Sequence, residues 1–123
     1  MEELKIKFYK IDRSDPKHDL QKLCDIKFQS SVDFILDLIG IFQSSVDFIL
    51  DLIGIERDGY FISVQKDMLE NFIDELKTMK SQIVLDSQHY DYVQRLLEKL
   101  NIVTKVDFNS YDVQMFVEYL GID

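Results

Sequence analysis

Alanine and tryptophan are absent from this 123-residue chain, which also has one proline and one cysteine. The lone Cys24 can form no internal disulfide, so cysteine usage does not point to an oxidising compartment. No basic segment leads into an apolar one at the N-terminus, so no signal peptide is expected. Long apolar runs are missing too. The most apolar stretch, 28–55, is interrupted by Asp33, Asp37, Asp47 and Asp51, and four carboxylates make insertion into a bilayer very costly. No membrane partner is therefore expected, and the expected location is the cytoplasm. Gly40, Gly54, Gly59 and Gly121 are isolated, which leaves no glycine-rich phosphate loop and no Gly-x-Ser-x-Gly nucleophile elbow. His18 and His89 have no second histidine or cysteine at metal-ligand spacing. No metal or cofactor is expected, and no catalytic residue stands out. The missing alanine, set against abundant Lys, Ile, Phe, Tyr and Asp, fits an AT-rich gene; it is silent on mechanism.

What the chain does have is negative charge, −9 in all, unevenly spread. Residues 1–27 carry a net +1 and residues 57–105 a net −1. Residues 28–56 hold five acids and no base, and residues 106–123 hold four acids and no base. Phosphate binding needs clustered Lys and Arg, so no nucleic-acid partner is expected. A basic protein would be steered toward the acidic segments. Acidity also serves plain solubility.

With 46% apolar residues, positions 1–123 suffice for a single domain with its own core. Leu4, Ile6 and Phe8 alternate with Lys5, Lys7 and Tyr9, the pattern of a half-buried strand. Ser14-Asp15-Pro16 reads as a turn opening a helix through about residue 26, striped by Leu20, Leu23 and Cys24. Arg57-Asp58-Gly59 reads as a hairpin turn joining 53–56 to 60–64. A helix over about 64–80, capped by Ser63, would bury Met68, Leu69, Phe72, Ile73 and Leu76. Residues 83–85 form a short apolar run that reads as a small strand. Asp86 or Ser87 opens a helix carrying Val93, Leu96, Leu97 and Leu100, with Asn101 at its end. Asn109 or Ser110 opens a last helix with Val113, Phe116, Val117 and Leu120 inward. The expected architecture is α+β and predominantly helical, with an N-terminal strand and a short hairpin packed on a cluster of short helices.

The chain also carries a perfect 14-residue tandem duplication, residues 28–41 followed at once by 42–55. Replication slippage and a cloning or engineering event both produce such a repeat. Its length is two heptads and is also even, so it nearly preserves helical phase and fully preserves strand faces. In each copy an i, i+3, i+4, i+7 set recurs: Val32, Ile35, Leu36 and Ile39, then Val46, Ile49, Leu50 and Ile53. Two short helices stopped by Gly40 and Gly54 are one reading. A strand is the other, since Val32, Phe34, Leu36 and Leu38 also alternate. Both copies are competent for one slot in the core. The unplaced copy then packs as an extra helix, exposes an apolar patch, or exchanges between protomers in a homodimer.

Asp33/Asp37 and Asp47/Asp51 are i, i+4 carboxylate pairs, but calcium asks for six to eight oxygens from a turning loop, so a solvated acidic face is the expectation. Cys24 on an apolar stripe is expected to be a buried, inert thiol. Two function classes remain. One is a small acidic protein-binding module of the inhibitor or immunity type that occludes a basic partner surface. Its candidate partner-binding residues are Asp33, Asp37, Asp47, Asp51, Glu56, Asp107, Asp112 and Glu118. The other is a self-assembling accessory protein whose duplicated segment supplies the interface. An enzyme would need a site assembled from scattered carboxylates and tyrosines, and no local motif marks one.

Overall fold

The computed structural model describes residues 2–44, 60–83 and 87–120. Four strands and three helices run in the order β1 (Glu2–Asp12), β2 (Gln21–Ser30), α1 (Val32–Ser44), β3 (Tyr60–Val64), α2 (Lys66–Ser81), α3 (Gln88–Thr104) and β4 (Tyr111–Leu120). The strands form one antiparallel sheet in the order β2-β1-β4-β3. Strand β1 lies centrally because its two faces differ in kind: Leu4, Ile6 and Phe8 are fully buried, while Lys5, Lys7 and Tyr9 are half-buried on the other side. Its neighbours copy the pattern, with Cys24, Ile26 and Phe28 in β2, Ile62 and Val64 in β3, and Val113, Met115 and Val117 in β4 all turned inward.

The helices cover that inward face. Helix α3 packs against β2 and α2, and α1 touches β1, β2 and α2. Met68, Leu69, Phe72 and Leu76 of α2, and Val93, Leu96, Leu100 and Val103 of α3, complete the core. At the start of α3 the Ser87 hydroxyl accepts from the Tyr90 N–H at 3.1 Å, satisfying one of the free donors of the first turn. Gln65, not Ser63, is the N-cap of α2, and its side chain makes no capping hydrogen bond. Helix α3 runs past Asn101 to Thr104.

The predominantly helical cluster expected from periodicity does not form; a four-stranded antiparallel sheet takes its place. The turn at Ser14-Asp15-Pro16 is present, but strand β2 follows it rather than a helix. Leu20, Leu23 and Cys24 have helical spacing, yet Cys24, Ile26, Phe28 and Ser30 alternate, and that alternate set lies against Leu4, Ile6 and Phe8. Pairing with β1 and burial of Ile26 and Phe28 outweigh the weaker stripe. The same conflict decides the C-terminus. Val113, Phe116 and Val117 read as a helix face, but Val113, Met115 and Val117 alternate in a segment rich in aromatic and β-branched residues, and the outcome is β4. Strand β3 pairs with β4, so Tyr60–Val64 has its partner far downstream, in register from Tyr60 opposite Val117 to Val64 opposite Val113. The 53–56 arm and 57–59 turn of the expected hairpin lie outside the described residues, as do residues 84–85 of the expected strand at 83–85.

The duplicated segment is neither wholly helix nor wholly strand. In the first copy Phe28–Ser30 end β2 and Val32–Ile41 belong to α1. The buried face is Phe34, Ile35, Leu38 and Ile39; Val32 and Leu36, expected inward, are 47% and 49% exposed. A segment apolar on nearly every side gives periodicity little to choose from. The choice falls to Phe34, whose ring stacks on His89 (4.1 Å between centroids, 5° between planes) and lies near Phe28 (6.5 Å) and Tyr92 (6.1 Å). Gly40 does not stop the helix, which continues to Ser44. Of the second copy, residues 45–55 lie outside the described residues.

Candidate functional site

Helices α1 and α2 meet along a groove of about 590 Å³. Its wall carries Asp37 from α1 and Asp74 and Glu75 from α2; Gly40, Ile41 and Met79 are among the other lining residues. Among the described residues no Lys or Arg lines it. Helical spacing explains the arrangement. Asp37 sits one residue before the buried pair Leu38 and Ile39, and Asp74 and Glu75 sit just before the buried Leu76, so these carboxylates fall at the border where both helices leave the core. The missing side chain at Gly40 leaves the groove open there: a Cβ built at that position meets nothing within 4 Å.

Of the eight residues expected to bind a partner, the five that are described lie at separate places on the surface. Asp33 and Asp37 are both exposed on α1, Asp33 in the first turn, where the helix dipole favours a carboxylate. Asp47, Asp51 and Glu56 lie outside the described residues. Asp107 is engaged in its own turn, accepting from the Asn109 N–H (3.0 Å) and the Ser110 hydroxyl (2.9 Å). The Ser110 hydrogen bond, then that of the Asn109 amide, holds its carboxyl below the usual aspartate range. Asp112 is paired with Arg13 at 2.8 Å, and the same guanidinium donates to the carbonyls of Phe108 and Asn109, both at 2.9 Å. Glu118 stands on the outward face of β4, opposite Lys5, whereas α1 packs on the inward face. Of the described members of the expected set, Asp37 alone lines the groove; Asp74 and Glu75 were not singled out, though their place beside the apolar stripe of α2 was the available signal.

Two other polar features lie close to the core. Ser30, 6% exposed at the end of β2, shares a 2.5 Å hydrogen bond with His89 Nε2. Tyr92 donates to the Gln29 carbonyl at 2.9 Å, so the first turns of α3 are tied to the end of β2 at two adjacent residues. His89 is half-buried, stacked on Phe34. Cys24 is buried, and loss of solvent pushes its thiol up to about 11, which keeps it protonated and unreactive at neutral pH. Among the described residues no cluster of His, Cys, Asp and Glu could hold a metal ion, and no helix is long and apolar enough to cross a membrane.

The outward face of the sheet has a different character. Lys5, Lys7 and Lys27 stand on it or at its β2 edge, where they line a 540 Å³ depression with Arg95 and Lys99 of α3 and a single carboxylate, Asp25. Toward β3 the face becomes aromatic: Phe61 lies 4.8 Å from Phe116 and 6.2 Å from Tyr9, between ring centroids. Lysines dispersed through the sequence are gathered here by strand alternation. No protein-family model matches this chain, and no curated protein is significantly similar to it.

Proposed function

We propose that this chain is a protein-binding module of the inhibitor or immunity type. It acts in the cytoplasm, without catalysis, by seating a basic segment of a partner in the groove between α1 and α2. The observation that carries this reading is the groove itself, with three carboxylates along its walls, Ile41 and Met79 beside them, and no cation among the described residues that line it. A basic amphipathic helix suits such a groove: its apolar face meets the aliphatic side chains and its lysines meet Asp37, Asp74 and Glu75. Rim carboxylates chiefly set the association rate and the salt dependence, so the complex weakens as ionic strength rises. The test is titration with a fluorescent basic amphipathic peptide against the wild type and an Asp37→Asn/Asp74→Asn/Glu75→Gln variant. Affinity is expected to drop at least about tenfold in the variant and to fall with salt. Equal affinity for both proteins, or indifference to salt, overturns the reading.

Self-assembly is a second reading, supported by Val32 and Leu36. They are about half exposed, one turn apart on α1 and inside the duplicated segment. Light scattering at high concentration tests it. A mass that stays monomeric rejects it, and an oligomer that Leu36→Glu dissolves supports it.

A further inference from the structure

We infer that the outward face of the sheet is a docking surface for single-stranded RNA. Four strands present side chains on this face in cross-strand rows, and no described helix covers them. One row reads Asp25, Lys7, Phe116, Phe61 from β2 to β3; the next reads Lys22, Tyr9, Gln114, Ser63. Lys27, Lys5 and Glu118 form a third. The lysines thus lie on β2 and β1, and the rings run from Tyr9 of β1 to Phe116 of β4 and Phe61 of β3.

Neighbouring strands are about 4.8 Å apart, which puts the backbone of Phe116 about 5 Å and that of Phe61 about 10 Å from Lys7 along this first row. A nucleotide whose phosphate rests on the lysines can therefore lay its base on these rings. Phe61 is 48% exposed, and Tyr9 and Phe116 are half-buried, so ring faces are available for stacking. Exposed aromatics beside a cationic track are what single strands need, because every base has a π-face and every linkage a negative charge.

Charge complementarity is local. On the strands Lys5, Lys7, Lys22 and Lys27 stand with Glu3, Asp25 and Glu118, four cations to three carboxylates, and Arg95 and Lys99 of α3 add two more cations at the β2 edge, a positive patch on a chain of net charge −9. Glu3 is shared between Lys5 (3.4 Å) and Lys27 (3.3 Å), so neither lysine is fully neutralised by its own carboxylate. The acidic groove belongs to the helical layer behind the sheet. A helix is about 10 Å across, and charges beyond a Debye length of about 8 Å are largely screened at physiological salt. Gln114 and Ser63, set among the rings, offer hydrogen-bonding groups to a ribose 2′-hydroxyl, which selects RNA over DNA.

The experiment is fluorescence anisotropy with a fluorescein-labelled 12-mer of uridylate at 50 mM salt. Arms with the thymidylate 12-mer, a 12-base-pair RNA duplex and heparin as competitor run in parallel. Phe61→Ala and Lys7→Gln change exposed or half-exposed side chains, and circular dichroism confirms that both variants stay folded. Binding to the uridylate strand is expected, with a log–log salt slope of about −2 to −3.5 for three to five phosphate contacts. Each substitution should weaken it, Phe61→Ala by about tenfold. Absence of binding overturns the inference. So does equal binding of the duplex with Phe61→Ala unaffected, which reduces the face to a plain polyanion patch. Equal binding of thymidylate overturns the assignment to RNA. A homodimer that Phe61→Ala dissolves, with no RNA bound, assigns the face to a second copy of the chain. The groove variant Asp37→Asn/Asp74→Asn/Glu75→Gln should bind the uridylate strand as the wild type does, which separates this inference from the proposed function.

Discussion

Replacing Phe34 by alanine tests which copy of the duplicated segment fills the core. Phe34 is 5% exposed and sits amid Phe28, Tyr92 and His89, with the His89 ring stacked on it. Phe→Ala in a core costs about 3–5 kcal/mol, made up of lost transfer energy and the cavity left behind. Aromatic pairs are worth about 0.5–1.5 kcal/mol beyond their area, so three ring neighbours place this site near the upper half of the range, about 4 kcal/mol. Domains are stable by about 5–15 kcal/mol, so the variant stays folded at 25 °C but melts about 10–20 °C lower. Urea unfolding followed by circular dichroism measures the loss, with the slope against denaturant unchanged. Phe48→Ala, the equivalent change one repeat later, is the control: with the seat already taken by Phe34, it should cost less than about 1 kcal/mol. If Phe48→Ala costs as much as Phe34→Ala, or more, the first copy is not the one that fills the seat.

Other predictions follow from the same packing. Deleting 42–55 removes one full copy but keeps Phe28, Phe34, Ile35, Leu38 and Ile39, so the 109-residue product should melt cooperatively with a similar dichroism spectrum; an unfolded product contradicts the single-seat arrangement. Cys24, with its thiol pushed up to about 11, should resist a thiol-specific reagent at pH 7.5 in native buffer and react fully in denaturant. Rapid native labelling would show that the thiol is not buried. Four carboxyls are held below their usual range: Glu3 by the Gln29 hydrogen bond and then Lys27, Asp12 by Ser14, Asp25 by Lys22 and Asp107 by Ser110. Each favours the folded state above the ordinary carboxylate range near pH 4 and loses that contribution as pH falls through it, so the melting temperature should drop modestly between pH 5 and about pH 2–3. Asp25 and Asp107 are exposed and Glu3 and Asp12 only half-buried, so solvent screening keeps each contribution small, and a melting temperature that rises over this window would contradict the sign.

The sequence reveals the parts of this fold where one periodicity stands alone. Strand β1 alternates without a helical rival, and α2 and α3, helices of 16 and 17 residues, carry stripes of Met68, Leu69, Phe72 and Leu76, and of Val93, Leu96 and Leu100. Strands β2 and β4 were hidden because each holds both a period of two and an i, i+3, i+4 set; the decision lies in cross-strand burial against β1, a contact between residues as far apart as Lys5 and Glu118. Acidic residues could be counted but not placed. Asp112 and Asp107 satisfy local partners in the turn that Arg13 locks, while Asp74 and Glu75 join Asp37 only through the packing of α2 on α1. The cationic face was invisible for the same reason: charge summed along residues 1–27 nearly cancels, whereas alternation sorts Lys5, Lys7 and Lys27 onto one side and its edge.

The most direct test of the groove as a partner site is a chemical-shift map. Isotope-labelled protein is titrated with an unlabelled basic amphipathic peptide at 50 mM and 300 mM salt. The amide signals of Asp37, Gly40, Asp74, Glu75, Thr78 and Met79 should shift together and saturate, with weaker binding at the higher salt. Shifts centred on β1 and β2, or none at all, would contradict the assignment of the groove.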